Sequence, residues 1–149
     1  MPKVSSALIE VANTTSNLTP CLIDPSWIIE GNPAAQVSLL SKSADGQAWT
    51  VVWQCSEGKF NWIYGYDETT LILEGSVVLE SDGIPPTRYG PGDVIFFKYG
   101  AQAKWHVEGH VRKLAFCRKN RPFVLVRVLS KIMRTLKRAP RGSADGLMA

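Results

Sequence analysis

From Ala48 onward the chain is cut into short apolar runs, each too brief for a helix, divided by turn residues at close and even intervals. The runs are Trp49-Thr50-Val51-Val52-Trp53, Leu71-Ile72-Leu73, Val77-Val78-Leu79, Val94-Ile95-Phe96-Phe97 and Val111 to Cys117. Most of their residues are β-branched or aromatic, the types that suit a pleated, half-buried surface. Between them lie Glu74-Gly75, Ser81-Asp82-Gly83, Gly90-Pro91-Gly92-Asp93 and Tyr99-Gly100, residues that pre-set turn geometry or accept a positive φ. Such spacing favours an all-β sandwich or closed barrel over a parallel α/β sheet, which needs helical crossovers between strands. With 149 residues, 45% of them hydrophobic, the chain has material for one core.

The formal charge of +4 is unevenly spread. Residues 1–117 carry 8 Lys and Arg against 12 Asp and Glu, whereas residues 118–149 carry 9 against a single Asp. The basic character therefore belongs to the end of the chain. There, after Arg121-Pro122, Leu125, Val128, Leu129, Ile132, Met133 and Leu136 recur at helical spacing, with Arg127, Lys131, Arg134, Lys137 and Arg138 on the other face. The pattern predicts a basic amphipathic helix ending before Pro140. The chain thus divides into an arm with the first strands (1–47), a barrel core (48–118), the helix (119–139) and a disordered tail (140–149). Within the first part, Asn13 to Asn32 reads as an extended arm.

The residues near Met1 show no apolar leader segment, no run is long enough for a bilayer span, and Cys21, Cys55 and Cys117 lack paired metal spacing. These features lead us to expect a cytoplasmic protein with buried thiols in a reducing compartment.

The centre of the chain carries an ordered series: Trp53-Gln54-Cys55, Gly58, Phe60-Asn61-Trp62-Ile63-Tyr64, Asp67-Glu68, Leu73-Glu74-Gly75, Pro91-Gly92-Asp93, Phe96-Phe97, Gly100, Trp105 and Arg112-Lys113. Across Trp49 to Cys117 it resembles the small cupins grouped with the ureidoglycine aminohydrolase cupin domain, and it is similar to the ethanolamine-utilization cupins. The resemblance implies a double-stranded β-helix, or jelly-roll barrel, with a pocket at its mouth. Many cupins hold a divalent metal there with histidines and a glutamate. The first cupin motif, two histidines, a glutamate and a glycine, falls here on Trp62, Tyr64, Glu68 and Gly75. The second motif's histidine falls on Ala103. Only the glutamate remains, and neither an indole nor an alanine offers a metal a lone pair. We therefore expect no metal and no other cofactor.

Trp62 and Tyr64 either plug the barrel or wall a pocket. Trp105 shares strand parity with Ala103 and also points inward, as core filling or as a pocket wall. Glu68, a carboxylate at an inward position, needs a partner, for which Arg112, Lys113 or a backbone amide are candidates, or else serves a ligand or acts as a base. Arg112 and Lys113 are placed near the rim as anion contacts. His106, Glu108 and His110 alternate on the opposite parity, outside the barrel, so a metal site there is not favoured.

The leading expectation is a metal-free cupin, a homodimer through sheet packing or arm exchange, binding a small molecule with Trp62, Tyr64, Glu68, Trp105, Arg112 and Lys113. The competing one is an enzyme, either a metal-independent isomerase or epimerase or a hydrolase, pairing Glu68 with Tyr64 or Tyr66. A third is a scaffold whose working element is the helix. For that helix, packing on the barrel or a partner subunit is favoured over membrane-surface contact through 122–138, and nucleic acid is not expected.

Overall fold

The computed structural model describes residues 7–120 and 124–138, with side chains between 124 and 127 and at 138 excepted. The chain divides into two units, residues 1–119 and 120–149. The expected tail at 140–149 lies outside the described residues.

Among its described residues the first unit holds nine strands: β1 (Thr19–Cys21), β2 (Ile28–Glu30), β3 (Ala35–Lys42), β4 (Ala48–Ile63), β5 (Asp67–Gly75), β6 (Val77–Ser81), β7 (Ile84–Tyr89), β8 (Val94–Phe97) and β9 (Gln102–Arg118). A 3-10 turn, Pro25–Trp27, precedes β2, with the Asp24 carboxylate accepting from the Ser26 amide at its start. All the strand pairings are antiparallel, and β4 and β9 form the spine. They pair from Ala48↔Arg118 to Ile63↔Gln102, while β3 and β2 flank β4 and β5 and β6 flank β9. The unit is a jelly-roll barrel.

Two readings made from the sequence change here. The run at Trp49–Trp53 is the first third of a 16-residue strand. Likewise Val111–Cys117 is the second half of a 17-residue strand that passes through Gly109 without ending. Between Ser56 and Gly58 the register with β9 shifts by one. Across that shift the cavity-facing positions of β4 change from odd (Trp49, Val51, Trp53) to even (Phe60, Trp62). A one-residue slip exchanges the two faces of a strand, so the shift is what keeps aromatics pointing inward along the whole length of β4.

The arm is built into the barrel, since β1 pairs with β3 of its own chain through Thr19↔Val37 and Cys21↔Ala35. The second unit contains α1 (Val124–Arg138). Its side chains Val128, Leu129, Ile132, Met133 and Leu136 are between 47% and 68% exposed. No helix among the described residues is long and apolar enough to cross a membrane.

Candidate functional site

Alternation along β9 decides what enters the barrel. Ala103, Trp105 and Val107 are buried, as are Val111, Lys113, Ala115 and Cys117, so a lysine stands in the inward-facing series. On β5 the same alternation buries Glu68, Thr70 and Ile72. Lys113 Nζ donates to Glu68 Oε1 inside the barrel, the two side chains being 8% and 3% exposed. Thr70 Oγ1 donates to the same carboxylate oxygen at 2.6 Å. Two indole rings in edge-to-face contact flank the ammonium, with Nζ 5.0 Å from the Trp53 centroid and 4.8 Å from that of Trp105. Each ring attracts a cation through its quadrupole, by about 0.5–2 kcal/mol.

Around this pair the aromatics interlock. Trp105 stacks on Phe60 at 6.0 Å and meets Trp53 edge-on at 5.8 Å. Trp62 is held edge-on by Trp27 from the 3-10 turn at 5.2 Å, and Trp49 meets Tyr66 at 5.0 Å. The packing stops short of filling the barrel. A cavity of about 250 Å³ remains, with Trp49, Trp53, Trp62, Tyr66 and Trp105 on its walls and Glu68 and Lys113 as its charged groups. Cys21 and Leu22, from β1 and just beyond it, line it too, so the arm contributes to the site.

The expected site residues separate on this geometry. Trp62, Tyr66, Glu68, Trp105 and Lys113 come together at the cavity. Tyr64 is not among its lining residues: the phenol is fully buried and stacked on Phe97 at 4.3 Å. Arg112 is not there either, because it has the opposite parity to Lys113 and lies in register with Gln54 and Glu74. Lys113 itself lies deep in the barrel, away from the rim position expected for it. The partner of Glu68 is therefore Lys113 and not Arg112. Trp49, Trp53 and Cys21 were not singled out from the sequence. Trp53 was within reach of the alternation argument, whereas Cys21 depends on a β1–β3 pairing that no local pattern announces.

Burial sets the titration of the neighbouring groups. It pushes the Tyr64 phenol well up, with the Glu68 carboxylate adding to the effect and the nearby Trp105 N–H opposing it. Neither the Tyr64 hydroxyl nor the Trp105 indole nitrogen closes a hydrogen bond of normal geometry. Tyr66 is also raised, first by burial and then by Glu68, so its hydroxyl stays protonated. Burial pushes both Cys55 and Cys117 up to about 12 and raises Cys21. A thiol is reactive only as thiolate. In the folded protein at pH 8, a colorimetric thiol reagent is thus expected to leave Cys55 and Cys117 unmodified, and to reach them once denaturant is added. Fast modification of both under native conditions would contradict this placement.

A metal fits this site poorly. The positions that the resemblance assigns to ligands are Trp62, Tyr64, Glu68 and Ala103, and the one good ligand among them is bonded to an ammonium. A divalent ion at Glu68 would stand beside the Lys113 ammonium, and Cys117, the cross-strand neighbour of Glu68, is too little to complete a ligand set. Among the described residues no cluster of His, Cys, Asp or Glu could hold a metal ion. Outside the barrel, Glu108 pairs with Arg88 at 2.7 Å and His110 faces Glu74 at 3.9 Å.

An antiparallel barrel spanned by two long strands, with a pocket whose walls come from the inward faces of β4 and β9, is the architecture of a cupin. Residues 42–115 match the family model of the EutQ-like cupin domain, and this barrel is a cupin similar to the ethanolamine-utilization cupins. No curated protein matches the chain. Among solved structures, a protein of unknown function from Pseudomonas syringae pv. tomato is 26% identical over 70% of this chain, with a TM-score of 0.65. The match takes in 46% of that protein, so this chain spans about half of its length. An ethanolamine utilization protein Q from Salmonella typhimurium is 21% identical, covering 70% of this chain and 96% of its own, with a TM-score of 0.53. The polyketide cyclase RemF from Streptomyces resistomycificus is 17% identical, covering 78% and 83%, with a TM-score of 0.57. At those identities the last two show the fold alone.

Proposed function

We propose that this protein binds a small, ring-sized molecule inside the cupin barrel without a transition metal. The observation that carries the reading is the cavity of about 250 Å³ left open among the aromatic rings, with an ion pair on its wall. A cavity of about 150 Å³ accommodates a benzene ring, so this one has room for a ring and a polar substituent. Rings on the walls suit a flat or sugar-like partner, and a few fixed polar groups orient it. The fold does not choose the ligand, given that similar barrels belong to proteins named for ethanolamine utilization and for polyketide cyclisation.

An enzymatic reading is less well supported. It loses Tyr64 as an acid while Tyr66 stays at the cavity, and Glu68, fixed by Lys113 and Thr70, is better placed to anchor than to shuttle a proton.

Ala115 lines the cavity from β9, and leucine there would occupy the space. A panel of ring-sized metabolites should contain compounds that raise the melting temperature of the native protein by roughly 5–10 °C at saturating concentration. The Ala115→Leu variant should fold and lose that response. The proposal fails if no such compound shifts the native protein, or if the filled variant responds equally.

A further inference from the structure

The cavity holds more hydrogen-bond donors than acceptors. Lys113 brings three N–H groups into the barrel, and Glu68 Oε1 takes one of them. The faces of Trp53 and Trp105 attract the charge but present no lone pair to the remaining N–H groups. Tyr66 adds a hydroxyl that donates to no group among the described residues and that burial keeps protonated. Against the two remaining Lys113 N–H groups and the Tyr66 hydroxyl stands one carboxylate, whose Oε1 already accepts from both Lys113 and Thr70 and whose Oε2 alone is left as an acceptor. An ammonium held almost out of solvent with a single oxygen partner is under-coordinated, and further acceptors would stabilise it.

We infer that the ligand is a ring-sized organic acid whose carboxylate binds Lys113. The inference rests on the small-molecule reading above and narrows it to a chemical class. An oxyanion approaching Nζ away from Glu68 completes a carboxylate–ammonium–carboxylate arrangement, and the ring it carries lies among the indoles of Trp49 and Trp62. A ligand amine, by contrast, would bring a second cation beside Lys113 and leave the donors unsatisfied.

Three probes of one size test this: benzoate, benzyl alcohol and benzylamine, titrated into the purified full chain with binding followed by calorimetry or ligand-observed NMR. Benzoate should bind at least about tenfold more tightly than benzylamine, the difference made by one charge-assisted hydrogen bond. Because Lys113→Met alone leaves Glu68 unpaired, the matching variant is Lys113→Met/Glu68→Gln, which removes both charges. It should still bind benzyl alcohol and lose the preference for benzoate. Equal binding of all three probes, tighter binding of benzylamine, or a preference for benzoate that survives in the double variant would each overturn the assignment to Lys113 while leaving the cavity a ligand site. Failure of all three to bind the native chain would overturn both the acid and the ring-sized cavity ligand.

Discussion

Replacing Lys113 by methionine is expected to destabilise the barrel by about 3–5 kcal/mol, the usual cost of removing one partner from a buried ion pair. The loss comes less from the missing attraction than from what is left behind. Glu68 is 2% exposed, and without the ammonium its carboxylate keeps only the Thr70 hydroxyl. Methionine has nearly the length and volume of the lysine stem, so the packing against Trp53 and Trp105 is retained and the charge is what changes. Adding Glu68→Gln should therefore recover more than half of the loss, because the second substitution removes the unpaired charge. The measurement is a pair of chemical denaturation curves for the single and double variants beside the native chain. If the double variant were as unstable as the single, or the single lost less than about 1 kcal/mol, the ion pair would not be the buried element described here.

The second large effect is at Gly75, the end of β5. Its φ is +70°, and a Cβ built there would sit 1.9 Å from the His110 carbonyl oxygen. The neighbour is backbone, so no rotamer change can relieve the contact. Alanine would have to push β9 away where Gly75 pairs with Val111, on top of the left-handed backbone penalty of about 1–2 kcal/mol. Together these exceed about 4 kcal/mol, a large share of the 5–15 kcal/mol available to a domain of this size. Gly75→Ala should accumulate as insoluble protein or show no cooperative melting transition. Gly92 provides the control, since its φ is +91° but nothing lies within 4 Å of its Cβ position. Gly92→Ala should cost only the backbone term, and melting of Gly75→Ala within a few degrees of Gly92→Ala would refute the close-approach argument.

These two sites mark how far the sequence could be read. Turn residues and β-rich runs were enough for an all-β sandwich or barrel, because side-chain alternation and turn chemistry are local, and the choice of the jelly-roll barrel came from the cupin resemblance. Counting by twos from Ala103 correctly placed Trp105 inside and His106 outside. Carried ten residues further, the same count puts Lys113 inside with Val111, Ala115 and Cys117, but composition argues against burying a lysine, so Lys113 was assigned to the rim. Its burial is tolerated only because Glu68, 45 positions away in the chain, arrives opposite it. That is tertiary information. Tyr64 erred in the other direction. It does point inward, but Phe97 covers it, and parity cannot distinguish a wall from a plug. The full lengths of β4 and β9 were hidden by Gly58 and Gly109, which look like strand ends and are crossed by both strands with a register shift. The arm's share in the cavity depends on β1 pairing with β3, again a non-local event.

The central claim is that a lysine–glutamate pair stands in this barrel where a metal site would otherwise be expected. Elemental analysis of the native protein, purified without chelators and again after incubation with manganese, iron and zinc salts followed by desalting, tests it most directly. The account predicts no transition metal in stoichiometric amount in either sample, because the remaining carboxylate is bonded to Lys113 and no imidazole faces it. One metal ion per chain, lost on substitution of Glu68 by alanine, would contradict it.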